Sequence, residues 1–160
     1  MVLANVLSNL FLHKEIRAKG GAYGAGIRIT RFGDVATYSY RDPQVEKTID
    51  VYDRMAGFLK DLTLSERDLT DMIIGVMNAF DPHLAPSAYG VLDFKRFLNG
   101  TTAESIEKKK AEAMATTVDD LRSFSDLIKK IMEQNHLVAI GDGERLKSGE
   151  LFDVYRSLKQ

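Results

Sequence analysis

Apolar side chains at Val2, Leu3, Val6, Leu7, Leu10 and Phe11 recur at the spacing of one helix face, which predicts a helix from residue 2 to about 18. Gly20-Gly21 ends it, because glycine takes the left-handed cap conformation without steric cost. The period then changes to two. From Ala22 to Thr30, Ile27 and Ile29 alternate with Gly26 and Arg28, as in a strand. Arg31-Phe32-Gly33-Asp34 supplies a turn, and Val35 to Tyr40 returns as a second strand, so the two form an antiparallel hairpin.

Helices dominate the rest of the chain. Asp42 is placed as a cap with Pro43 in the first turn, and Val45, Ile49, Tyr52, Phe58 and Leu59 carry a helix to about residue 61. Thr63-Leu64-Ser65-Glu66 has the form of a capping box ahead of Leu69, Met72, Ile73, Val76, Met77 and Phe80, the clearest amphipathic run in the chain. Asp81-Pro82-His83 stops it. A shorter helix opens at Pro86-Ser87 and ends at Asn99-Gly100; Thr101 with Glu104 caps the next, and Thr117 with Asp120 one more. Leu137 to Asp142 reads as a buried strand and residues 147–158 as a final helix.

These elements make one α+β domain over residues 1–160, with a small antiparallel or mixed sheet packed by several helices. Three strands leave two open edges. Those edges call for further strands from upstream sequence or for a second copy, a homodimer of this chain. The N-terminus is apolar from its second residue without a basic start, which reads as an amphipathic helix and not a signal peptide. Both features are expected of a piece of a longer protein that lacks its opening strand or strands.

Composition narrows the function. With 44% hydrophobic and 28% charged residues and a net charge of −1, the chain lacks the clustered basic surface of a nucleic-acid binder. Its one dense basic run, Lys108-Lys109-Lys110, is interleaved with Glu104, Glu107 and Glu112 and reads as a solvated helix face. No cysteine is present, which excludes disulfides, thiolate metal sites and cysteine nucleophiles. No apolar run is long enough to span a membrane.

Familiar catalytic patterns fail one by one. His13, His83 and His136 lie far apart, with no second histidine three or four residues away, so the chain itself holds no zinc motif. No serine sits in a Gly-x-Ser-x-Gly turn. The glycines from Gly20 to Gly26 follow a helix and open a strand, the reverse of a phosphate-binding loop. There remain Arg17 and Tyr23, on either side of the Gly-Gly corner, and Tyr38-Ser39-Tyr40-Arg41-Asp42-Pro43, where a strand hands over to a helix. Taken alone, Arg17 is as well explained by the helix dipole, and Tyr23 by strand packing.

Glu15-Ile16-Arg17-Ala18-Lys19-Gly20-Gly21-Ala22-Tyr23-Gly24, together with Ser39-Tyr40-Arg41-Asp42-Pro43, resembles the C-terminal part of insulinase-type (pitrilysin-family) zinc peptidases, in the presequence protease branch. Thr48 and Tyr52 before a Thr-Leu-Ser-Glu cap, the Asp81-Pro82 stop and Asn99-Gly100-Thr101-Thr102 extend the resemblance over most of the chain. It implies a domain of a four-domain metallopeptidase whose halves close around an unstructured peptide, with the zinc in the N-terminal half of the same polypeptide. It implies that Arg17 and Tyr23 reach the substrate and the transition state, with Gly20, Gly21, Ala22 and Gly24 as peptide-binding backbone. This chain would then hold no metal and cleave nothing alone. The rival is a non-catalytic subunit or assembly module of the same fold, and a His-x-x-Glu-His motif upstream in the reading frame would separate the two.

Overall fold

In the computed structural model, which describes residues 1–30, 32–148 and 151–157, the first helix buries five of the six side chains that an α-helical period selects, but most of it is wound differently. It starts as α1, Val2–Val6, and continues as a π-helix, Leu7–Lys19. Bonding between residues five apart makes positions i, i+4, i+5 and i+9 neighbours, where a turn of 3.6 residues would scatter them. Leu7, Phe11, Leu12 and Ile16 follow that series, and all four are buried. Leu10, assigned to the buried face by the α-period, is only half-buried.

The hairpin consists of β1, Gly24–Ile29, and β2, Val35–Tyr40, paired antiparallel with Gly24 opposite Tyr40 and Gly26 opposite Tyr38. Ala25 and Ile27 point into the core, and the Ile27 amide donates to Ser8 Oγ (3.2 Å), tying the sheet to the π-helix. On the opposite face Tyr38 lies over Gly26, where an added Cβ would stand 2.8 Å from the tyrosine oxygen. The constraint there is close approach of a side chain, not backbone freedom, and a larger residue would displace the Tyr38 ring. The hairpin turn is held by Thr30, whose hydroxyl donates to Asp34 Oδ2 (2.8 Å). Arg31, placed in this turn by the sequence pattern, lies outside the described residues.

The expected single helix to residue 61 is divided at Arg54 into α2, Val45–Asp53, and α3, Met55–Lys60. Next come α4, Glu66–Met77, α5, Pro86–Leu98, α6, Ala103–Met114, α7, Val118–Ser123, and α8, Ser125–Met132. Two caps sit beside their expected residues. Ser65, not Thr63, accepts from the Asp68 amide at the head of α4, and Thr102, not Thr101, accepts from the Ser105 amide at the head of α6. The Thr117–Asp120 box of α7 forms as the sequence indicates, and its hydrogen bonds from Thr117 hold the Asp120 carboxyl below its ordinary pKa.

Helix α3 packs against α7 and α8, bringing Leu121 and Ile128 into one core with Met55 and Leu59. Part-buried hydrogen bonds cross these joints: Arg122 Nε donates to the Leu62 carbonyl (2.9 Å) and Ser125 Oγ to the Ala56 carbonyl (2.8 Å). Helix α1 rests on α4, where Asn5 Nδ2 donates to the Met72 carbonyl (2.8 Å). Among the described residues no helix is long and apolar enough to cross a membrane.

The α+β class stands, but the C-terminal elements differ from expectation. Among the described residues the sheet has two strands. Residues 137–140 alternate half-buried and exposed, with Val138 92% and Ile140 81% exposed, and form no ladder. An apolar run becomes a strand only beside a strand partner, and none is described there. The last helix comes earlier than expected, as α9, Gly143–Lys147, because Asp142 accepts from the Arg145 amide and starts it. Residues 151–157 are not helical, and 149, 150 and 158 of that expected helix lie outside the described residues.

Tyr52 is the buried hydroxyl without a hydrogen-bond partner among the described residues. Burial pushes its pKa up to about 12, with Ser39 nearby acting in the opposite direction. An unfolded phenol ionises near 10, so between about 10 and 12 the unfolded chain releases this proton first and stability falls. Tyr52→Phe is expected to remove that component, worth on the order of 2 kcal/mol at the top of the window. At neutral pH the variant should be at least as stable as the parent, since no hydrogen bond is lost. Denaturant unfolding at pH 7 and in a series from pH 9 to about 12 checks both signs.

Candidate functional site

One corner of the molecule brings the end of the π-helix, the start of β1 and the end of β2 together. Gly20 and Gly21 make the turn. A Cβ on Gly20 would stand 2.5 Å from the Ile16 carbonyl oxygen, and Gly21 has φ +80°, so each position excludes a side chain for its own reason. The Gly21 and Ala22 amides donate back to the Arg17 and Ile16 carbonyls (both 3.1 Å), closing the helix end, and Ala22 is buried. Gly21→Ala is therefore expected to destabilise the chain by about 1–2 kcal/mol, the cost of a left-handed Cβ, read as a lower denaturant midpoint with an unchanged slope.

Beyond the corner the Tyr23 amide donates to the Tyr40 carbonyl (3.0 Å), prolonging the hairpin ladder by one residue. The two rings meet edge to face with centroids 5.9 Å apart. Gln44 Nε2 donates to the Gly20 carbonyl (2.9 Å), fixing the corner to the approach of α2. Asp42 organises that approach by accepting from the Gln44 amide (2.8 Å) and from the Thr48 hydroxyl (2.6 Å). It does so from outside the helix: α2 starts at Val45 with Gln44 as its cap residue, and Pro43 precedes the first turn instead of sitting in it.

An open cleft of about 860 Å³ lies over this corner, walled by Asn9, His13, Lys14, Arg17 and Ala18 from the π-helix, by Gly21, Ala22 and Tyr23, and by Arg41. Asn9, His13, Lys14 and Ala18 repeat the i, i+4, i+5, i+9 series, so the winding that gathers the buried face also gathers this one. The sequence-derived pair, Arg17 and Tyr23, shares the cleft, with Tyr23 67% exposed. Gly21 and Ala22 line it too, whereas Gly20 and Gly24 are outside its wall.

The cleft is cationic. Lys14, Arg17 and Arg41 line it, no carboxylate does, and none of the three forms an ion pair among the described residues. Lys19 faces elsewhere and is matched with Glu15 at 2.6 Å. That bond, followed by the charges of Lys19, Arg54 and Lys14, holds the Glu15 carboxyl below its ordinary pKa. The Arg17 guanidinium and Tyr23 hydroxyl have no hydrogen-bond partner among the described residues, so their donors are free for a ligand's oxygens.

Five cleft residues, Asn9, His13, Lys14, Ala18 and Arg41, were given no part in the site by sequence reasoning. His13 fails as a zinc ligand, but it stands one helical turn from Arg17 on the cleft wall, a neighbourhood that the i, i+4 spacing already gives. Arg41 lay inside a recognised motif, but its left-handed backbone, φ 49°, has no sequence marker. Among the described residues no group of three or more His, Cys, Asp or Glu side chains could hold a metal ion.

The structure thus defines an α+β domain whose donor-rich, cationic cleft sits where a π-helix turns into a β-hairpin. The chain belongs to the family described as the PreP C-terminal domain, whose model matches residues 1–142. It is 31% identical over 163 residues to presequence protease 1, chloroplastic/mitochondrial, of Arabidopsis thaliana, covering 98% of this chain and 15% of that protein. It is 34% identical over 125 residues to the mitochondrial presequence protease of Xenopus tropicalis, covering 78% of this chain and 12% of that protein. Protein HypA of Clostridium perfringens is 29% identical over 158 residues, 99% of this chain and 16% of that protein. The chain therefore spans well under a fifth of the length of these relatives.

Proposed function

We propose that this chain is the non-zinc C-terminal domain of a presequence-protease-like zinc metalloendopeptidase of the insulinase (pitrilysin) type. It serves an unstructured peptide substrate and works with an N-terminal catalytic half of the same polypeptide. The observation that carries the reading is the meeting of Arg17 and Tyr23, hydrogen-bond donors without partners among the described residues, in one open cleft of a chain whose family is that of the presequence protease C-terminal domain. Among the described residues no group of three or more His, Cys, Asp or Glu side chains could hold a metal ion, which is compatible with a zinc carried by the other half.

The roles of this chain's own residues come from their chemistry. Peptide hydrolysis builds negative charge on the scissile carbonyl oxygen, and a neutral phenol aimed at that oxygen donates a hydrogen bond that strengthens as the charge grows. That is the role of Tyr23. Arg17 offers a rigid fork of donors to carbonyl or carboxylate oxygens of the peptide, holding it in register. The Gly20-Gly21 corner keeps both groups on one side of the backbone turn.

Large apolar side chains support a domain that meets further protein. Phe94, Phe97 and Leu98 on α5 are 61%, 79% and 65% exposed, close together in sequence on one helix, and would suit contact with further protein. The open hairpin edges and the unpaired 137–140 segment fit the same reading, and in the isolated chain they would favour a homodimer.

The test compares the intact protein with the isolated 160-residue chain. The intact protein should contain zinc, carry His-x-x-Glu-His upstream and cleave an unstructured peptide; the isolated chain should do none of these. One tightly held zinc per isolated chain by elemental analysis, or an intact protein without peptidase activity, overturns the reading.

A further inference from the structure

Arg41 occupies a backbone conformation that its side chain does not explain by packing. It has φ 49°, in the left-handed region that a Cβ makes unfavourable, and it is exposed, so burial does not compensate. It forms no ion pair among the described residues. A glycine or asparagine would make the same turn more readily. Such an outlier at the edge of a cleft points to a task for the side chain.

The geometry identifies that task. The Arg41 guanidinium carbon stands 5.8 Å from the Tyr23 ring centroid and 5.5 Å from that of Tyr40, while the two rings meet edge to face. Both distances are within the range of a cation–π contact. Two-thirds exposed, Tyr23 has no core packing to hold its ring; its neighbours in this group are Tyr40 and Arg41. The left-handed backbone sends the residue after β2 back across the sheet end, where an extended continuation would carry it away.

We propose that Arg41 is the positioning residue for Tyr23: its guanidinium, braced by Tyr40, holds the phenol ring in the orientation that presents the hydroxyl to the cleft. The inference rests on the proposed role of Tyr23. Arg41 acts through that hydroxyl and makes no independent contribution to the chemistry. Arginine is used because its planar, delocalised cation can lie against two rings at once, which a lysine ammonium does less well.

The experiment is a double-mutant cycle in the intact protein, with kcat and KM measured on an unstructured peptide for Arg41→Ala, Tyr23→Phe and the pair. Arg41→Ala is expected to lower kcat about three- to tenfold with little change in KM. In the Tyr23→Phe background, where no hydroxyl remains to be aimed, it should lower kcat no further. Arg41→Lys should fall between parent and alanine. Arg41→Gly, which relieves the backbone, should show the alanine loss while its melting temperature matches or exceeds the parent's.

An equal fall from Arg41→Ala in both backgrounds, no fall in either, or a loss that is absent in Arg41→Gly would overturn the positioning role. Those results leave the reading of Tyr23 intact. Unchanged turnover in Tyr23→Phe alone removes that reading and the inference with it.

Discussion

Replacing Tyr23 by phenylalanine in the intact protein should lower peptide turnover by about 10²–10³-fold while the fold stays as it is. The size comes from removing one donor to a developing oxyanion, which raises the barrier by about 3–4 kcal/mol. The absence of structural cost comes from the position. Tyr23 is 67% exposed, its hydroxyl has no hydrogen-bond partner among the described residues, and its backbone bond to Tyr40 is untouched by the change. The ring that meets Tyr40 and Arg41 also remains. Melting temperature should thus be unchanged, and the loss should fall on kcat more than on KM, because the hydrogen bond is made chiefly in the transition state. Turnover equal to the parent's would show that the phenol is scaffold.

Leu12→Ala should cost the chain about 2–5 kcal/mol, the range for a leucine deleted from a packed interior, and Leu10→Ala less than half of that. The contrast tests the winding of the first helix. An α-helical period puts Leu10 with Val6, Leu7 and Phe11 on the buried face. In the π-helix it is Leu12 that is fully buried, alongside Phe11 and Ile16, while Leu10 is half-buried. Leu12 is at 0% exposure on the helix whose other face lines the cleft, so its cavity would loosen the support of His13 and Arg17 as well. Urea midpoints of the two variants decide it: equal losses, or a larger loss from Leu10→Ala, would reject the π register.

The two variants also separate the features that could be read along the chain from those that could not. The hairpin was legible because β-branched alternation and a turn are local signals, and its strands fall within two residues of the expected bounds. The amphipathic run of α4 and the Thr117–Asp120 box of α7 were legible for the same reason. Leu137 to Asp142 was misread because its four apolar residues satisfy the composition of a strand, whereas a strand exists only through a partner's backbone. The final helix was displaced because Asp142 competes as a cap, a contest between two local signals that composition does not rank.

The candidate site divides in the same way. Arg17, the Gly20-Gly21 corner and Tyr23 stand within seven residues of one another, so their grouping and the family they resemble were open to sequence reading. That Asn9 shares a face with Lys14 and Ala18 depends on hydrogen bonds five residues apart, and that Arg41 lies against Tyr23 depends on a hairpin register and one left-handed residue. Periodicity, caps and turn chemistry act between neighbours in the chain, and the amino-acid order therefore determined the hairpin, most of the helices, the glycine corner and the family. Helix winding, ring-to-cation contacts and the pairing of strands are set by what packs against what across long sequence separations, and only the tertiary structure decided them.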